Sequence, residues 1–325
     1  MMAMSWPCGI LNSSARFSSR RWGNSFRGSL QRFTMFLLGI VPAHAQVAVP
    51  SAASAAKQTV APVQPALPTA VPASSVAPWK LVRLIKLSNP GAASLDRRGA
   101  LYVADADNNL RQYGPEGLLL NTYAPTQPGH VAQVEAWNTT STLVFNDDRQ
   151  QIVLLDRFLS LISEVRLADY VEGTVRVATL APDNRIWLLD ESNLVLREFD
   201  PAILRLVQNT PLDLIIGRSR PDFRFLRQYQ NNTYLVDRIT GVYVFDNLGN
   251  YQKKLPFAGL NMVGFRGDEL YYFEAGAVHF FHLYNLTERR LALPAEVMPA
   301  AVRQVLVGEA YAYIFTAVGI AVYQL

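Results

Sequence analysis

Residues 101–117, LYVADADNNLRQYGPEG, decide how this chain is read. LYVA is a run of strand-forming apolar residues, and LRQY reads as a second strand. Between them DADNN is turn chemistry, because Asp and Asn side chains bond nearby backbone and tolerate left-handed angles. GPEG closes the unit with a Gly/Pro turn. Upstream, Asn89-Pro90-Gly91 opens another strand, from Ala92 to Asp96, which turns at Arg97-Arg98-Gly99. Three strands and their turns therefore fall within residues 90–117.

The middle strand of this unit recurs. Blocks of the LYVAD type begin at Leu101, Leu143, Ile186, Thr233, Leu270 and Ala312, spaced 42, 43, 47, 37 and 42 residues apart. An apolar third strand starts eight or nine residues after each, at Leu110, Ile152, Leu194, Val242, Val278 and Ile320. A period of about 40–45 residues with several strands per unit is the spacing of propeller blades. Blocks such as IWLL and LYYF also lack in/out alternation, which marks strands covered on both faces.

PGAASLDRRGALYVADADNNLRQYGPEG, residues 90–117, resembles an NHL-type repeat: P-x-G, an apolar strand, D-x-x-G, L/I-Y-V-A-D, then N and a further strand before Gly. The resemblance implies that each unit forms one four-stranded blade, commonly six to a ring. Six units fit the chain: 90–130, 131–172, 173–222, 223–258, 259–299, and 300–325 joined by 79–88. The last unit ends after its third strand. WKLVRLIKL, residues 79–87, alternates Leu/Ile with Lys/Arg as a half-wet outer strand does. The expected fold is all-β, a six-bladed β-propeller over residues 79–325, with residues 80–87 supplying the outer strand of the final blade and closing the ring. Residues 214–225 read as an exposed insertion in the third unit.

Residues 1–45 read as a secretory signal: five arginines, an apolar run at 33–41, and Ala43-His44-Ala45 as a cleavage site. That run is too short to span a bilayer, which takes about 20 residues. Residues 46–78 contain six prolines and one charge, Lys57, and read as an extended or disordered linker. The only cysteine, Cys8, lies before the linker, so the remainder has no disulfide or thiolate chemistry. Without residues 1–45 the chain has 25 basic and 26 acidic residues, and a nucleic-acid role loses its electrostatic support. A monomeric ring, exported to the periplasm or the cell exterior and not transmembrane once the signal is cleaved, is expected.

Chemistry-bearing motifs are sparse. No G-x-S-x-G, H-E-x-x-H, P-loop or dinucleotide fingerprint occurs. His279 and His282 fall three apart on one strand and face opposite sides. Asp105, Asp147, Asp190 and Asp237 share one repeat position, with Glu274 and Thr316 in the last two units. They end a strand and open a turn, where Asp caps backbone N–H groups. No metal site, cofactor or catalytic residue is expected. At the starts of the inner strands the channel mouth would offer Arg176, Arg224, Arg303, Asn261 and Gln133, with Glu135 as the lone acid. Such a mouth repels a divalent cation and suits a carboxylate or phosphate. Arg218, Arg220, Arg224 and Arg227 could instead form a basic protrusion. The expected function is non-catalytic: a binding or scaffold module for a protein or cell-envelope partner. The alternatives are a propeller hydrolase or lyase with a central-channel site, and a small-anion binder using the channel arginines.

Overall fold

The computed structural model describes residues 79–138, 140–217 and 220–325. The expected signal peptide and linker lie outside the described residues, as does Arg218.

Among the described residues, twenty-four strands form six four-stranded antiparallel sheets. One strand, β1 (Lys80–Lys86), precedes the first sheet. That sheet is β2 (Ala93–Leu95), β3 (Leu101–Ala104), β4 (Leu110–Tyr113) and β5 (Leu119–Tyr123). The second is β6 (Val131–Glu135), β7 (Thr142–Asn146), β8 (Gln151–Leu155) and β9 (Leu161–Arg166). The third is β10 (Val175–Leu180), β11 (Ile186–Asp190), β12 (Val195–Asp200) and β13 (Arg205–Pro211). The fourth is β14 (Phe223–Tyr229), β15 (Asn232–Asp237), β16 (Gly241–Asp246) and β17 (Tyr251–Leu255). The fifth is β18 (Gly264–Arg266), β19 (Glu269–Glu274), β20 (Ala277–His282) and β21 (Glu288–Ala292). The sixth is β22 (Gln304–Val307), β23 (Tyr311–Thr316) and β24 (Gly319–Gln324), with β1 beside β24. Lys80 stands opposite Gln324 and Lys86 opposite Gly319.

The sheets form the ring of a six-bladed β-propeller, and burial shows why. Each of six apolar clusters draws on two successive blades. Leu143 and Phe145 of the second blade pack with Ile186 and Leu188 of the third. The sixth and first blades meet where Ile85, Tyr313 and Val322 pack against Leu101 and Val103. Every sheet is covered on both faces, so β7 and β11 are buried at every position. This is the physical origin of the missing alternation.

Three of the four turn aspartates, Asp105, Asp190 and Asp237, cap backbone N–H groups as the sequence leads one to expect, whereas the Asp147 carboxylate meets the side chains of His130 and Arg176. Asp105 accepts the N–H groups of Asp107 and Asn109 at 3.0 and 2.9 Å and pairs with Arg111 at 2.8 Å. Asn108, inside the same turn, has φ +62°. Asp190 and Asp237 are fully buried and hold Asn193 and Ile239 by the same kind of bond. Burial pushes the Asp105 carboxyl up, but the bonds from Arg111, Asn109 and Asp107 outweigh it and hold it below the usual carboxylate range. A depressed pKa in the folded state stabilises the fold at neutral pH, and this stability is lost as pH falls through the folded value. Asp105→Asn is therefore expected to cost about 1.5–3 kcal/mol at neutral pH. The gap to the parent should narrow as acid is added, read from urea melts across a pH series.

The third unit carries the extra chain. Its exposed part includes a short helix, α1 (Asp213–Ile216), whose Leu214 is 91% exposed. The insertion ends earlier than the sequence suggests. Phe223 and Phe225 are buried on the inner strand β14.

Candidate ligand-binding site at the channel

The inner strands differ in length. β6, β10 and β14 have five to seven residues, whereas β2, β18 and β22 have three or four. The three long strands each carry a bulge near the start, at Ala132, Arg176 and Arg224. A bulge takes its residue out of the ladder and re-aims the side chain. Arg176 turns to Asp147, 3.9 Å away, and donates to the Phe223 carbonyl. Arg224 turns to Asp222 at 2.7 Å.

These placements settle where the expected mouth residues lie. Arg303 is exposed and donates to the Asn89 side chain at 3.2 Å. It shares a hollow of about 110 Å³ with Asn261, and neither Arg176 nor Arg224 lines that hollow. Gln133 is not at the mouth at all. It is 4% exposed, inside the channel, where its Nε2 donates to the Leu226 carbonyl at 2.6 Å. Among the histidines, His279 is buried and stacks on Tyr272, and Nδ1 of His282 accepts the Tyr284 N–H.

Past the bulges the long strands converge and stopper the axis. Glu135, Thr179 and Arg227 are each the fifth residue of their strand. Arg227 Nε lies 2.6 Å from Glu135 Oε2, with the side chains 10% and 1% exposed. This is a close ionic contact with the Nε–H pointing off the oxygen. The Thr179 hydroxyl donates to the same carboxylate at 3.1 Å, and the Trp137 N–H donates to its other oxygen at 3.1 Å. Ser94 of the first blade accepts from Arg227 and from the Ala136 N–H. Four blades thus meet in one buried polar knot. Burial pushes the Glu135 carboxyl up more than Arg227 and the hydrogen bonds pull it down. The knot corrects the reading of Arg227 as part of a basic protrusion: it is 9% exposed and belongs to the channel.

Beyond the knot, where the inner strands end, the short strands leave room. A cavity of about 250 Å³ opens between the first, fourth, fifth and sixth blades, with Trp137 of the second at its side. One wall is aromatic. Tyr229 stacks on Phe265 with centroids 4.4 Å apart, and Trp137 lies 5.5 Å from Tyr229. Arg97 places its guanidinium 5.5 Å from the Trp137 ring centroid. Four arginines and two acids line the cavity. Arg227 is held by Glu135, and Arg266 lies 3.5 Å from Glu309. Asp96 spends its Oδ1 on the N–H groups of Arg98 and Ala100. Arg97 and Arg98 remain exposed at the rim. The buried Tyr271 phenol is pushed up to about 12, chiefly by burial, and accepts the Val307 N–H at 2.9 Å. It is a structural acceptor at neutral pH. A groove of about 320 Å³ between the first and second blades continues from the cavity and shares Arg97 and Trp137 with it.

Sequence reading missed this end of the channel. Arg97 and Arg98 look like turn filler in D-R-R-G, and Trp137 follows a strand with no motif around it. A usable signal existed in the polar residue that recurs at the fifth position of three inner strands, Glu135, Thr179 and Arg227.

Six four-stranded sheets set the architecture, and solved structures share the propeller fold. It is a six-bladed propeller. The chain is similar to a streptogramin B lyase structure, with a TM-score of 0.53 and 13% identity over 76% of this chain and 98% of that one. It is equally similar to the propeller domain of Cps50 (Swd1) from Myceliophteria thermophila, at 0.53 and 10% identity over 76% of this chain and 100% of that one. Virginiamycin B lyase from Staphylococcus aureus gives 0.52 and 11%, over 76% and 99%. At such identities the likeness is one of fold. No family model matches the sequence, and no curated protein does.

Proposed function

We propose that this protein is an exported, non-catalytic binding module built of NHL-type blades. Its cavity at the ends of the inner strands receives an anionic group with an apolar neighbour, presented by a protein or other cell-envelope partner. The observation that carries the reading is the blind cavity itself. One wall is aromatic, two arginines stand exposed at the rim with no ion pair among the described residues, and a buried ion pair closes the floor. Arginine beside an aromatic face favours a carboxylate or phosphate attached to something flat or greasy. Support for the NHL assignment is the residue pattern of 90–117, and support for export is the composition of residues 1–45. The arginines expected at the opposite mouth each have a neighbouring partner, which leaves the cavity as the better site.

The test is a crosslinking pull-down of the tagged protein from its native envelope, repeated with Arg97→Glu and with Trp137→Ala. Both variants should keep the parent's melting temperature within a few degrees, and capture should fall about tenfold or more. Undiminished capture by both variants would remove the cavity from the reading.

A further inference from the structure

The near-neutral charge of residues 79–325 hides a segregation. The six outer strands, β1, β5, β9, β13, β17 and β21, carry nine basic residues and two acidic ones. The rest of residues 79–325 carries fifteen basic and twenty-four acidic. Within this basic girdle one arc is also apolar. Leu84 on the sixth blade is 65% exposed, Leu119 and Leu120 on the first are 52% and 56%, and Leu161 and Ile162 on the second are 53% and 55%. Phe158, in the turn before β9, is 58% exposed.

These residues form one continuous edge. Arg83 of β1 donates to the Glu116 carbonyl in the turn before β5. A Cβ at Gly117 of that turn would meet Val322, Arg83 and Ile85 at 3.0–3.2 Å, so the sixth and first blades are in contact there. Leu120 and Phe158 line the same groove between the first and second blades. Lys80, Arg83 and Lys86 lie along this edge, with Arg157 beside Phe158.

Charges on an outer strand guard it against pairing with another strand. Exposed leucines do the opposite, so edge protection does not account for the pair of features. In this arc Lys80, Arg83, Lys86, Arg157 and Arg166 outnumber Glu116 and Glu164, and leucines among an excess of cations match a surface that buries apolar side chains among anionic headgroups. We infer that the arc formed by the sixth, first and second blades docks edge-on to an anionic phospholipid bilayer. This goes beyond the cavity reading and uses none of the cavity's residues. It leaves the cavity open to a partner.

The test uses the full chain with Cys8→Ser, labelled with an environment-sensitive fluorophore at Leu120→Cys or, for comparison, at Lys253→Cys on the fourth blade. Vesicles mixing anionic and zwitterionic phospholipid should blue-shift the label at position 120 and leave that at position 253 unmoved. Purely zwitterionic vesicles should shift neither. Lys80→Glu with Lys86→Glu in the labelled chain should weaken the response about tenfold or more. No shift at position 120, equal shifts at both positions, or an equal response to zwitterionic vesicles would overturn the inference. So would a concentration-dependent dimer, lost in Leu120→Ser, in protein that ignores vesicles. Capture of a partner through the cavity is read separately, so either idea can fail alone.

Discussion

Replacing Arg227 by methionine will lower the stability of the ring by about 3–5 kcal/mol, because it strands the Glu135 carboxylate in a buried site without its counter-charge. Arg227 and Glu135 are 2.6 Å apart, and the carboxylate is nearly inaccessible. Glu135→Leu should cost a similar amount by orphaning the guanidinium. The double variant should recover most of the loss, since removing both ions removes the desolvation that each imposes. A double-mutant cycle in urea at neutral pH measures this coupling. The pH dependence has a definite sign. Burial already raises the Glu135 carboxyl, and losing Arg227 raises it further. The Arg227→Met variant therefore regains ground on the parent as pH falls, because a protonated Glu135 no longer needs a cation. A loss below 1 kcal/mol in either single variant would show that the knot does not hold the four blades together.

The second large effect is expected from deleting residues 80–87. In the sixth sheet β24 would become an edge, and Ile85 and Leu87, each 7% exposed, would vanish from the cluster shared with the first blade. At about 1.5–3 kcal/mol for each buried aliphatic side chain, the loss is about 3–6 kcal/mol before the ladder bonds are counted. The shortened chain should melt earlier and self-associate through the bared strand. An unchanged melting temperature and a monomeric elution profile would mean that the ring does not depend on this strand for its closure.

The architecture was legible because blade strands repeat. Leu101, Ile186 and Leu270 sit at matching places in a strand–turn–strand pattern, and each is fully buried in the structure. The turn role of Asp105 and Asp190 could be read for the same reason, since local backbone bonds need only local sequence. The site was less legible because it depends on contacts between blades far apart in the chain. Ser94 and Arg227 are 133 positions apart, and nothing near either one announces the other. The bulges at Arg176 and Arg224 add a further displacement. One extra residue per strand takes a side chain out of the ladder's register, and no periodic pattern records it. Arg227 was misplaced because four arginines close together suggested a solvated loop. The segment around it, FRFLRQY, is buried at every position but Arg224, as an inner strand is.

The sixth sheet also has a consequence for biosynthesis. Its outer strand is made among the first residues of the ring and the strand it pairs with among the last, 319–324, so the two partners leave the ribosome far apart in synthesis. Until then Ile85 and Leu84 have no partner strand, and the nascent chain must be kept from aggregating through them. Such a layout means that the sixth sheet can be completed only once the last strand of the ring has been made.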